Sequence, residues 1–198
     1  MSNIKKLEES FSFQLNDYQI EHQGNAVLDI SVDLDFQEGI GVDDPFEYPD
    51  FVPIANFIDD FLVNYPNETD FWEILNKNLA QTLLTESIPT DFGVEYNLEQ
   101  VVDSLEIDIQ VQSGSSDIDI PRASVVVATP EETPSQTIEL EESFSFQLND
   151  YQIEHQGNAV LDISVDLDFQ EGIGVDDPFE YPDFVPIANF IDDFLVNY

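Results

Sequence analysis

Residues 26–36, AVLDISVDLDF, alternate between apolar side chains and short polar or acidic ones. A period of two is the pattern of a β-strand with one buried face. The opposite face of this strand carries Asp29, Ser31, Asp33 and Asp35. Because antiparallel sheets commonly cover one face and expose the other to water, the stretch predicts an antiparallel sheet with a solvated acidic face.

The segments on either side extend this sheet and cover it. Residues 10–22 alternate in the same way but change phase near Asp17, which predicts a bulge, and Gly24–Asn25 predicts a tight turn. Apolar residues at helical spacing then predict two helices within 51–86. Two further alternating segments follow, and Pro121 places an edge or a bulge in the last of them. The order ββααββ predicts an α+β fold, with an antiparallel sheet and two helices packed on one face.

Residues 7–65 recur without change as residues 140–198. The sequence therefore predicts a complete domain at 1–129, a polar linker at 130–139 and a duplicated ββα half. Only one set of the remaining elements exists, at 66–129. That set can join the first copy, or the second copy in circularly permuted order, so we expect the copies to compete and one to remain unpaired in a monomer.

The charge of the chain restricts its partners. It has 43 acidic and 4 basic residues, a net charge of −39. Such a field repels nucleic acid and anionic membranes but allows cations, basic proteins and neutral ligands. The absence of cysteine excludes disulfides and thiolate zinc sites. No apolar run has membrane length and the first residues, MSNIKK, lack an apolar signal core, so we expect a cytoplasmic protein with no membrane partner.

The helical segment carries a family resemblance. Residues 70–84, DFWEILNKNLAQTLL, resemble the second helix of dihydroneopterin aldolase, a member of the tunnelling fold (T-fold). The closing hairpin and the ββααββ order extend the resemblance over residues 10–129. It implies a homo-oligomer whose sheets close into a barrel and whose subunit interfaces bind pterin- or purine-like rings.

The resemblance also assigns roles to four residues. Glu73 stands where the family's glutamate anchors the ring, since a carboxylate accepts two parallel N–H bonds. Phe51 stands where the family has a ring-stacking tyrosine, and Tyr48 is close enough in sequence to replace it. Gln112 or its neighbour Ser113 occupies the place of the catalytic lysine. Glutamine cannot titrate, so the aldolase proton transfer is in doubt.

Other candidates have plainer interpretations. His22 and its copy His155 lie at hairpins, where we expect surface residues rather than acid–base groups. Lys77, four residues after Glu73, predicts an ion pair on the helix surface. An acidic loop is interpreted as solvated rather than as a calcium site, because its spacing matches no EF-hand: Asp43, Asp44, Glu47 and Asp50. We expect neither a metal nor a cofactor.

Three hypotheses follow for function. The first is an aldolase-like T-fold protein that binds a neutral pterin-like ligand and has lost catalytic groups. The second is a non-catalytic acidic module that binds a basic partner or is structural. The third is an engineered duplicated or circularly permuted chain in which two frames compete for one core. From the resemblance we expect a homo-oligomer, with strand or segment exchange as one route to it.

Overall fold

The computed structural model describes residues 10–37, 51–90, 93, 95–113, 120–130, 138–154, 158–169 and 184–197. Their elements in chain order are β1 (Ser10–Glu21), β2 (Asn25–Phe36), α1 (Phe51–Val63), α2 (Trp72–Thr85), β3 (Ile88–Pro89), β4 (Glu95–Tyr96), a 3-10 helix (Leu98–Gln100), β5 (Val102–Val111), β6 (Arg122–Pro130), β7 (Ile138–Glu154), β8 (Asn158–Asp168) and α3 (Phe184–Asn197). The predicted α+β class is confirmed. Among these helices, none is both long and apolar enough to cross a membrane.

One antiparallel sheet organises the described residues. Its strand order is β1–β2–β5–β6–β7–β8, and β3 pairs separately with β4. The two helices α1 and α2 fill the crossover from β2 to β5, which are neighbours in the sheet. α2 packs over β5 and β6, while α1 packs against β1. The core lies between these helices and the apolar face that the alternating pattern of β2 predicts.

The core depends on three rows of apolar side chains. β2 contributes four side chains with no exposed surface: Leu28, Ile30, Val32 and Leu34. α1 contributes one residue per turn, and α2 adds leucines at the same helical spacing: Ile54, Ile58, Leu62, Leu75, Leu79 and Leu83. Residues at i, i+4 and i+8 share one helix face, so each helix turns a continuous apolar stripe to the sheet.

The predicted bulge in β1 is confirmed. The register with β2 shifts between Leu15 and Tyr18, and Asp17 has a φ of 53°. Aspartate tolerates this left-handed conformation better than most residues. The Asp17 amide donates to the carboxylate of Asp29 over 3.0 Å. The second copy repeats the conformation at Asp150, which has a φ of 54°.

The second copy joins the sheet of the first. β7 pairs with β6 from Arg122↔Phe146 to Pro130↔Ile138. The expectation that one copy stays unpaired in a monomer is therefore wrong for its strands, because the exposed edge of β6 accepts β7 within the same chain. α3 packs on β7, as α1 packs on β1, and a small second core forms around Phe144 and Phe146.

Pro121 does not mark an edge strand, contrary to the expectation from sequence. β6 lies inside the sheet, between β5 and β7, and Pro121 immediately precedes its first residue. The start of a strand is one of the places where proline is tolerated, because the ladder ends there and is not interrupted. The Pro121 carbonyl instead accepts the amide of Gln147 over 3.0 Å.

Candidate functional site

The hairpin between β1 and β2 is bonded to the loop that precedes α2. The His22 Nε2–H and the Gln23 Nε2–H both donate to the Asp70 carbonyl, each over 2.8 Å. The Gln23 amide donates to the Glu68 carbonyl, also over 2.8 Å. Gln23 has a φ of 50°, and this turn directs its side chain towards the helix. These bonds fix the start of α2 over the end of the sheet.

The side chain of Asp70 is held by Tyr65, which follows α1. The Tyr65 hydroxyl donates to Asp70 Oδ2 over 2.9 Å and accepts a bond from Asn78 Nδ2 over 2.9 Å. Burial raises the pKa of Tyr65 to about 12, and the Asp70 carboxylate adds to that rise while the bond from Asn78 opposes it. The hydroxyl is therefore protonated at neutral pH and acts as a structural donor.

His22 is buried, contrary to the expectation of a surface residue. Its side chain is 1% exposed, and its ring lies 4.5 Å from that of Trp72 and 5.8 Å from that of Tyr65, centroid to centroid. Burial lowers the pKa of His22, and the bond to the Asp70 carbonyl and the nearby acidic charges only partly oppose it. We therefore assign His22 a structural role. His155 lies outside the described residues.

The lowered pKa of His22 predicts how stability depends on pH. Between the folded pKa and the unfolded value of about 6.5, the unfolded chain binds the additional proton. The His22 contribution to stability is therefore present above pH 6.5 and is lost as the pH falls below it. An NMR titration of the imidazole in a His155→Gln variant, which leaves a single histidine, should give a midpoint below 6.5. A midpoint at or above 6.5 would contradict this prediction.

Glu73 lies in the first turn of α2 and is 7% exposed. Arg122, the first residue of β6, is 4% exposed. Burial lowers the pKa of Arg122, and the charge of Glu73 opposes that effect. Arg122 Nη2 also lies 3.5 Å from Gln23 Oε1. The helix N-terminus is a favourable position for a carboxylate, so dipole and guanidinium together compensate for the burial of Glu73.

Asn76 connects α2 to the sheet one turn after Glu73. Its Nδ2 lies 3.0 Å from the Ile107 carbonyl and 2.8 Å from the Ser124 carbonyl, so it bridges β5 and β6. Two other buried polar atoms nearby, Asn76 Oδ1 and Trp72 Nε1, have no hydrogen-bond partner among the described residues. Buried polar atoms are usually paired in proteins, so these two atoms are candidates for contact with a ligand.

A cavity of about 290 Å³ lies beside the last residues of β5, the first residues of β6 and the middle of β7. Arg122 and Gln112 both line it, and the second copy contributes Ser145, Phe146 and Gln147. Gln112 Nε2 lies 3.2 Å from Asp29 Oδ2 and 3.3 Å from Asp17 Oδ1. The volume is near the lower limit for small-molecule sites. Arg122 is the residue that this cavity shares with the polar cluster around Glu73.

Among the described residues to which the resemblance assigns roles, Phe51 lies apart from Glu73 and Gln112. Phe51 is 47% exposed and packs 6.3 Å from Phe11 and 6.0 Å from Phe13 on β1, at the far edge of the sheet from β6. Glu73 and Gln112 lie on the side of Arg122. Tyr48 lies outside the described residues.

Three further residues complete the polar cluster around Glu73, and none of them was predicted as a site residue: Arg122, Gln23 and Asn76. The sequence does contain an indication for two of them. Arg122 is one of 4 basic residues in the chain and opens a strand that is otherwise uncharged, and Asn76 lies beside the apolar stripe of α2. The sequence contains no such indication for Gln23, because its role depends on a turn conformation and on Arg122, which lies 99 residues later.

The outer face of the sheet is acidic, as the alternation in β2 predicts. Burial raises the pKa of Glu106, and so does the charge of Asp33 directly across the strand pair. Burial also raises the pKa of Asp108, which accepts a bond from Gln110. No group of three or more potential metal ligands occurs among the described residues. The acidic loop at 43–50 is not among them.

Comparisons with known proteins identify no relative. No protein-family model, no curated protein and no solved structure matches the chain. The fold and the site therefore define it only as an α+β protein with a buried Glu–Arg polar cluster at the end of its sheet.

Proposed function

We propose that the chain is an aldolase-like T-fold protein that binds a neutral pterin-like heterocycle and has lost the aldolase chemistry. One observation carries the proposal. Glu73 lies at a helix N-terminus, where its charge acts on Arg122, and the unpaired donor Trp72 Nε1 and the unpaired acceptor Asn76 Oδ1 belong to the first two turns of the same helix. A flat ring with adjacent N–H and C=O groups is complementary to this set of atoms.

The charge of the protein supports a neutral ligand. A net charge of −39 disfavours phosphorylated substrates, whereas an uncharged ring meets no such barrier. The cavity between the end of β5, the start of β6 and the middle of β7 offers volume next to Arg122. Because β7 belongs to the second copy, the internal duplication supplies one wall of that cavity, as a neighbouring subunit does in the family that the sequence resembles.

The described groups argue against turnover. Gln112 holds the place of the lysine and has no titratable proton. The Nε2–H of His22 is used in a bond to the Asp70 carbonyl, away from the cavity lining. We therefore propose binding without aldol cleavage, and no cofactor is required for it.

A fluorescence titration of the full chain with neopterin and 7,8-dihydroneopterin tests this function. We expect saturable binding that weakens at least about tenfold in Glu73→Gln, because a charged hydrogen-bond acceptor is lost. Glu86→Gln is the matched control, since Glu86 is exposed at the other end of α2. It should bind as the parent chain does.

Two results would contradict the proposal. One is an absence of binding at millimolar ligand by a chain whose circular dichroism shows it folded. The other is equal weakening in Glu73→Gln and Glu86→Gln, which would indicate a general charge effect. Release of glycolaldehyde from 7,8-dihydroneopterin would contradict the loss of chemistry but not the binding.

An acidic binding module is the second candidate. The observation that favours it is the close packing of like charges on the outer face, where Asp33 and Glu106 are paired across β2 and β5. A basic partner would relieve that repulsion. Salt-sensitive binding of a lysine-rich peptide, with no binding of either pterin, would favour this function over the first.

We also propose that the chain self-associates by strand or segment exchange. Two strands of the described sheet, β1 and β8, have a neighbour on only one side. Edge strands present unpaired backbone groups that readily accept another chain.

A further inference from the structure

The two copies have one sequence but different surroundings, so comparing them shows what covers each surface. On α1, Ile54, Ile58 and Leu62 are buried, at 0–3% exposure. Their identical counterparts on α3 are all partly exposed: Ile187, Ile191 and Leu195. Phe190 and Phe194 are 70% and 55% exposed, although their counterparts Phe57 and Phe61 pack against the first core.

The strands show the same difference. The apolar face of β2 is fully buried, whereas the identical residues of β8 are partly exposed: Leu161, Ile163, Val165 and Leu167. β2 is flanked by β1 and β5, and β8 only by β7. The second copy therefore exposes apolar side chains on both α3 and β8, and we call these two elements together the open half.

The structure also shows what covers the equivalent elements in the first copy. α2 packs beside α1, and β5 pairs with β2 from Leu28↔Val111 to Phe36↔Val102. One segment, residues 72–111, supplies both contacts. Local structure in the two copies is the same where it can be compared, because the bonds from Tyr18 to Asp59 and from Tyr151 to Asp192 are equivalent.

We propose that the open half is a docking surface for the 72–111 segment of a second copy of this chain. This inference rests on the self-association proposed above and is independent of the ligand site. The open half has the same sequence as the surface of the first copy that already binds this segment. The register is therefore defined: Leu161 pairs with the incoming Val111, as Leu28 pairs with Val111 in the first copy. The incoming β5 extends the sheet beyond β8, and the incoming α2 covers Phe190 and Phe194.

Charge opposes this contact and makes it depend on salt. The segment has eight acidic residues and one basic residue, and the open half is also acidic. At 0.1 M salt, the repulsion between exposed charges is largely screened when they are more than about 10 Å apart, and this distance becomes shorter as the salt concentration rises. Affinity should therefore rise with ionic strength, unlike that of a contact between opposite charges.

The segment of an intact second chain must leave its own first copy before it can dock, so a free peptide is the sharper probe. We would titrate the full chain into a fluorescently labelled peptide of residues 66–113 and follow anisotropy at 0.1 M and 0.5 M salt. We expect saturable binding at one peptide per chain, tighter at the higher salt. Phe190→Ser/Phe194→Ser should weaken it about tenfold or more, because both rings lose burial in the complex.

Val185→Ser is the matched control on the same helix. Val185 is 39% exposed. Its counterpart Val52 is 43% exposed in the first copy, where the segment is in place, so the segment does not cover this position. The peptide should bind this variant as it binds the parent.

Binding that Phe190→Ser/Phe194→Ser leaves unchanged would overturn the proposal, because the peptide would then occupy another surface. An absence of binding by the folded chain would also overturn it. So would a stable dimer of the chain that the peptide cannot dissociate, since the open half would then be covered by a second α3 and β8.

Discussion

Ile58→Ala should lower the free energy of unfolding by about 2–5 kcal/mol, whereas Ile191→Ala, the identical change in the second copy, should cost clearly less. Ile58 has no exposed surface and lies in the main core between α1, α2 and the sheet. Ile191 is partly exposed and borders only the small core around Phe144 and Phe146. Removing the same methylene and methyl groups therefore leaves a cavity at one site and little change at the other.

Urea unfolding followed by the fluorescence of Trp72 would measure this difference, because Trp72 is the only tryptophan and is buried in the main core. Ile191→Ala is the matched control, since local sequence and helix propensity are the same in both copies. The pair also tests which copy holds residues 66–129. If the permuted order 66–198 were populated as much as the order 1–129, the two substitutions would cost nearly the same.

The identity of the copies explains why the sequence predicted the elements better than their arrangement. The alternation of β2, the helical stripes of α1 and α2 and the bulge at Asp17 depend on nearby residues, and each is confirmed. Which strand accepts the second copy depends on which edge of the sheet is open. The two copies have the same sequence, which does not indicate the edge at which the second copy pairs. The pairing of β7 with β6 could therefore not be predicted.

The same reasoning applies to the site. Glu73 could be selected from a local resemblance, but its environment depends on residues distant in sequence. Arg122 is 49 positions away, and the bond that buries His22 reaches across 48 positions to Asp70. A hairpin histidine is exposed by default, and here the loop before α2, Trp72 and Tyr65 together remove it from water. Burial and charge pairing were thus properties of the fold rather than of the local pattern.

The pairing of Glu73 with Arg122 leads to the second large effect. Arg122→Met should lower the free energy of unfolding by about 3–5 kcal/mol, because the buried carboxylate of Glu73 loses its compensating charge. Methionine retains much of the apolar volume of the arginine stem, so the loss of packing is small. Urea unfolding at pH 7 would measure the cost, with circular dichroism to confirm that the variant folds.

The double variant Glu73→Gln/Arg122→Met separates charge pairing from packing. If the two side chains interact, the double variant should be less destabilised than the sum of the single variants, by about 0.5–3 kcal/mol. Removing both charges leaves no uncompensated ion in the core, which is why buried pairs can often be replaced together at little cost. Additive losses would mean that Glu73 and Arg122 are stabilised separately, by the helix terminus and by Gln23. In that case the carboxylate would not depend on Arg122, and the argument for a ligand site would rest on Trp72 and Asn76 alone.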